Sequence, residues 1–134
     1  VARWGGEELL LMLPGADEET ATGVAERARL AIADEAYEVG GEPLELAGSL
    51  LPVTTSLGVA VASPGEGWDD LLRRADEALY RAKRNGRDRV ELAVPAIGSR
   101  AALPSLRSLS IPLPPAPSGL ALASLAAEVP VSVS

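Results

Sequence analysis

Charge almost stops at Leu92, and that break limits how much of the chain can build an ordinary core. Residues 1–92 carry 18 of the 19 acidic and 10 of the 12 basic side chains. Residues 93–134 hold 7 of the 11 prolines, 8 serines and only three charges, Arg100, Arg107 and Glu128. Pro104, Pro112, Pro114, Pro115, Pro117 and Pro130 each fix φ and remove a backbone donor, so no long helix can run through this stretch. It has no sustained period of 2 or 3.6 either, and reads as a mostly unstructured Ala/Pro/Ser/Leu extension with short extended pieces. The expected organisation is a folded unit over 1–92 and a disordered tail over 93–134. A chain of 134 residues suffices for one domain with a modest core.

Within the charged part, "RWGGEELLLML" reads as strand, glycine turn, strand, because paired glycines supply the positive φ angles a tight hairpin needs. "PGADEET" then opens a helix whose first turn is acidic, as the positive end of a helix dipole favours. Val24, Ala28, Ala31 and Ile32 recur at helical spacing and predict a helix over Glu18 to Tyr37. "VGGEP" predicts a turn and "LPVTTSLGVAVAS" a strand buried on at least one face. A second helix starts near Asp69, with Leu72, Ala75, Leu79 and Ala82 on its core side and Arg73, Arg74, Glu77 and Arg81 opposite. Asn85-Gly86 stops it, and "RVELAV" supplies a short final strand. The order β-β-α-β-α-β with hairpins predicts an α+β fold, a mainly antiparallel sheet packed with helices.

Composition narrows the chemistry. Without cysteine or histidine there is no disulfide, thiolate nucleophile, ordinary zinc site or His-based triad. A metal here has to be held by oxygen, which favours Mg²⁺, Ca²⁺ or Mn²⁺. A net charge of −7 argues against a nucleic-acid polymer as partner, while leaving room for a small anion met by a few focused cations. No apolar run is long enough to span a membrane, which needs about 18 residues. Glu7 and Glu8 break up any signal-peptide core.

Four groups of residues invite a functional reading. Gly5 and Gly6 make a turn whose bare backbone can admit a phosphate, although most Gly-Gly hairpins are purely structural. Glu7 and Glu8 follow at once; an oxygen-ligand metal site and a solvated acidic turn both account for them. Lys83 and Arg87 bracket the end of the second helix, where the dipole alone explains cations, yet a point charge and a planar fork also suit the outer phosphates of a nucleotide. Gly58 inside a strand marks a bulge or a close backbone approach.

Taken together, "RWGGEELLLMLPG", "VTTSLGVAVA" and "LLRRADEALYRAKRNGRDRV" resemble three segments of the GGDEF domain, the diguanylate cyclase domain of bacterial cyclic di-GMP signalling, over about Ala2 to Leu92. The signature stands here as Gly5-Gly6-Glu7-Glu8-Leu9, with Leu for the usual Phe, and Asp88 stands where the family often has Asn. The resemblance implies a ferredoxin-like, palm-type fold. It also implies an enzyme that joins two GTP into cyclic di-GMP with release of two pyrophosphates, using Mg²⁺ or Mn²⁺. On the matching positions, Gly5 and Gly6 would lie along the GTP phosphates. Glu7 and Glu8 would serve the metal and catalysis, and Lys83 and Arg87 would neutralise the terminal phosphates. A homodimer is implied for the active form, in the cytoplasm.

The resemblance covers only the later part of the family domain. The family's first strand with its metal-binding Asp, the residues that read guanine and the Arg-x-x-Asp product-inhibition site would all precede Val1, so the chain reads as N-terminally truncated. Loss of a strand from inside the sheet is expected to leave unpaired edges and an open apolar face. The chain as it stands is therefore expected to be inactive as a cyclase, its function belonging to the parent protein. The alternative is a non-catalytic regulatory module that binds GTP or cyclic di-GMP.

Overall fold

The computed structural model describes residues 1–46, 48–95, 116–117 and 119–128. Among these the chain order is β1 (Ala2–Gly5), β2 (Glu8–Pro14), α1 (Glu18–Ala33), β3 (Glu38–Val39), β4 (Glu42–Pro43), β5 (Glu45–Leu46), β6 (Ser49–Leu50), β7 (Thr54–Val61), α2 (Trp68–Arg84), β8 (Val90–Leu92) and β9 (Leu120–Glu128). The main sheet has the strand order β1-β2-β9-β7-β8. All its pairings are antiparallel except β7 with β8, which α2 joins as a parallel crossover. The pairs β3–β4 and β5–β6 are two-residue hairpins outside it, the first turning on Gly40 and Gly41 as the "VGGEP" reading predicts.

The α+β fold is as expected, but its central strand is not where the sequence reading put one. Leu120–Glu128 pairs with β2 over seven residues and with β7 over eight. The expectation of an unstructured tail fails for this segment, and because β9 pairs with both β2 and β7, the unpaired edges expected inside the sheet are not found among the described residues. The rest of the expected tail falls largely on 96–115, 118 and 129–134, outside the described residues. β9 escapes a pattern search because both its faces are covered. Leu120 and Leu122 join the cluster under α2, while Ala121, Ala123 and Leu125 join the cluster under α1. A strand buried on both sides need not alternate.

The helices differ in how they hold the sheet. α2 lays Leu71, Ala75, Ala78, Leu79 and Ala82 on it. Arg74, read from the sequence as part of the solvent face, is also buried: its Nη1 donates to Glu66 Oε2 at 2.8 Å and its Nε to Val94 O at 2.9 Å. The acceptors make the burial of that charge tolerable. α1 ends at Ala33, short of the expected Tyr37, because Asp34 closes the last turn and Tyr37 instead accepts from Leu44 N at the base of the β3–β4 hairpin. Its buried stripe is Ala21 and Ala25, with Ala28 packed alongside, whereas Ala31 is exposed.

The start of α1 makes a pH prediction. Asp17 accepts from Thr20 N at 2.8 Å, and the Thr20 hydroxyl, together with that backbone bond, holds its carboxyl below the ordinary value of 3.8. A folded-state value below the unfolded one means the cap contributes stability above 3.8 and loses it as pH falls through the lowered value. Asp17→Asn should flatten that part of the acid limb in melting temperatures recorded against pH. An unchanged limb would show that folding does not lower the Asp17 carboxyl.

Candidate functional site

The turn between β1 and β2 is open on its outer side. Gly6 has φ +47, and a Cβ placed on Gly5 or Gly6 would meet nothing within 4 Å. Arg3 Nε donates to Gly6 O at 3.1 Å and braces the turn from within. The register slips between Arg3 and Gly5, leaving Trp4 unpaired and exposed beside the glycines. Glu7 stands exposed on the turn itself. Glu8 begins β2 and shares the sheet face of Leu10, toward α2.

Folding brings the distant cations to this end of the sheet. Lys83 Nζ lies 3.3 Å from Glu8 Oε1, across 75 residues of sequence. Arg87 Nε lies 3.4 Å from Oε1 of Glu128, whose other oxygen accepts from Ser56 Oγ at 2.9 Å. Because Ala126 is the β9 partner of Glu8, Glu128 and Arg87 sit just beyond Glu8 at the same sheet end. Gly5, Gly6, Glu7, Glu8, Lys83 and Arg87 thus gather around one edge of the molecule, and the two cations each have a carboxylate.

A residue the sequence reading passed over completes the surroundings. Asp76 lines a cavity of about 250 Å³ with Glu8, Leu79, Tyr80 and Lys83. Partial burial pushes its carboxyl up and nearby Glu8 adds to this, while the Ser124 hydroxyl and Lys83 pull it down. Ser124 Oγ is itself buried without a well-formed hydrogen bond. The signal was present in the spacing: Asp76 precedes Lys83 by seven residues, two turns along the same helix face.

The profile of the family described as "Diguanylate cyclase, GGDEF domain" matches residues 1–89. This chain belongs to the GGDEF family. Diguanylate cyclase DgcP of Pseudomonas aeruginosa is 42% identical over 93 residues, 69% of this chain and 13% of that protein. Diguanylate cyclase DgcM of Escherichia coli K12 is 42% identical over 90 residues, 67% of this chain and 20% of that protein. Response regulator PleD of Caulobacter vibrioides is 40% identical over 91 residues, 66% of this chain and 18% of that protein. This GGDEF chain therefore spans between 13% and 20% of the length of these relatives. No solved structure matches it significantly. The matched region ends before β9, so the strand at the centre of the sheet lies outside the family match.

The GGDEF residues described here do not complete a cage for Mg²⁺ or Mn²⁺. Among the described residues no three acidic side chains converge, and Glu8 is given to Lys83. Among the same residues no helix is long and apolar enough to cross a membrane.

Proposed function

We propose that this domain serves a diguanylate cyclase, in which the 3′-hydroxyl of each of two GTP attacks the α-phosphorus of the other and each GTP releases pyrophosphate. The observation that supports this best is the meeting of Lys83 with Glu8 beside a bare glycine turn, with Arg87 at the same sheet end. The turn admits the phosphates because no side chain stands over it. Lys83 and Arg87 then meet the charge that builds on the departing pyrophosphate, and stabilisation of that kind dominates phosphoryl-type transfer. Glu8 keeps Lys83 at the turn. Cyclases of this family depend on a divalent cation; Glu7 would offer it one carboxylate, and Glu8 could join only by parting from Lys83. Two GTP sites must face each other to close the ring, so the active form is a homodimer, working in the cytoplasm where GTP is made.

Lys83→Ala and Glu7→Gln in the full-length parent should each lower cyclic di-GMP synthesis by about 10²-fold or more. Synthesis at the parental rate in both variants would overturn this reading. A second reading, a regulatory module that binds nucleotide without turnover, is favoured by one observation: both cations are already paired with carboxylates, one of them from β9. Nucleotide titration against turnover on the parent separates the two.

A further inference from the structure

Two neighbouring residues without the freedom of glycine occupy left-handed backbone here: Arg87 at φ 60 and Asp88 at φ 44, directly after Gly86 at φ 113. Aspartate tolerates that region better than most residues, but arginine gains nothing from it. Such a conformation persists only where its surroundings impose it. On the helix side Arg87 N donates to Ala82 O at 3.0 Å, and on the strand side Leu57 N donates to Arg89 O at 2.9 Å. The pin between them comes from α1. Arg29 Nη1 donates to Asp88 Oδ1 at 2.7 Å, while its Nη2 and Nε are taken by Glu26 at 2.7 and 3.0 Å. The Arg29 side chain is 16% exposed, and the two carboxylates raise its affinity for its proton. Glu26 fixes the fork on α1 and the remaining arm fixes Asp88, so the helix sets the kink.

We propose that Arg29 is a positioning residue: by holding Asp88 it keeps the left-handed kink at 87–88 and so aims the Arg87 guanidinium at the sheet end that carries the Gly5-Gly6 turn. This deepens the reading of Arg87 as a phosphate ligand and rests on it. Arg29 touches no substrate under this assignment. Its effect passes through one ion pair and two backbone angles.

The test uses the 134-residue chain, NMR of the Arg87 and Asp88 backbone, and inorganic pyrophosphate as probe. Arg29→Ala should move the Cα shifts and HN–Hα couplings of both residues out of the left-handed range without ligand. Arg29→Lys, which lacks the fork, should do the same. Asp88→Asn, which keeps the acceptor and the backbone preference, should preserve the kink. Arg29→Met, which keeps the apolar stem but no donor, carries the Arg29→Ala expectation should that variant not fold. Arg29→Ala should weaken pyrophosphate binding about threefold to tenfold, and the Arg29→Ala/Arg87→Ala double variant should bind no worse than Arg87→Ala alone. A kink that survives in Arg29→Ala overturns the inference, as do costs that simply add. If pyrophosphate binding ignores Arg87→Ala in the otherwise native chain, the phosphate role of Arg87 fails, and the backbone measurement still decides the role of Arg29.

Discussion

A chain ended after Pro95 should fail to fold: no cooperative melt, and aggregation in place of a discrete monomer or dimer on gel filtration. Truncation removes β9 from between β2 and β7, exposing the inner edge of each to unsatisfied N–H and C=O groups. It also strips Leu120 and Leu122 from the cluster under α2, and Ala121, Ala123 and Leu125 from the cluster under α1, so both layers lose their centre at once. A point variant makes the same case within the full chain. Ala123 is fully buried between β2 and β7, opposite Leu11 and Val59, and Ala123→Asp would put an unpaired charge there. That belongs to the rare class of substitutions costing above about 4 kcal/mol. Glu91, on a partly exposed edge strand, carries the same charge natively and accepts from Asn85 Nδ2. If the truncated chain melts cooperatively at the temperature of the full one, β9 is not part of the folded core.

What could be read in advance followed from local rules. The hairpin at Gly5-Gly6, the two helices and the strand around Gly58 rest on φ preferences and on periods of 2 and 3.6, which show in any stretch that keeps one side in water. β7 is buried along six consecutive residues and was still legible, because Thr54, Thr55, Val59 and Val61 carry β-branched character. β9 has the same burial but is built of Leu, Ala and one Ser, residues with no preference for strand, and it follows a proline-rich stretch. Its strand state is imposed by two waiting edges, which no local window can see. Arg74 misled for a related reason. Its place on the helix wheel is polar, and only Glu66, reaching back from the preceding loop, turns that place into a buried one. At the site, residue types predicted which side chains to watch. Which carboxylate each cation meets, Glu8 for Lys83 and Glu128 for Arg87, is a property of the folded sheet.

Gly58→Ala should cost about 3 kcal/mol or more, at the upper end of what overpacking a core does, and lower the melting temperature by about 12–24 °C for a domain of this size. The methyl group would collide with Ala75 O and Leu79 N and sit 2.8 Å from Leu79 Cα. Those are backbone atoms of a helix, so no rotamer change relieves the clash and α2 has to lift from β7. A control separates this from any general effect of removing a glycine. Gly23 lies inside α1 and a Cβ there meets nothing within 4 Å, so Gly23→Ala should stabilise the chain by about 0.5–1 kcal/mol. The damage at Gly58 should also reach the site, because Lys83 lies one turn beyond Leu79 on the displaced helix. Raising α2 draws its ammonium away from Glu8, 3.3 Å distant in the native packing. In the full-length parent, Gly58→Ala should therefore lose cyclic di-GMP synthesis even at temperatures where it remains folded. A variant that melts within a few degrees of the native chain would mean that helix and strand do not approach this closely, and that Lys83 reaches the glycine turn by some other packing.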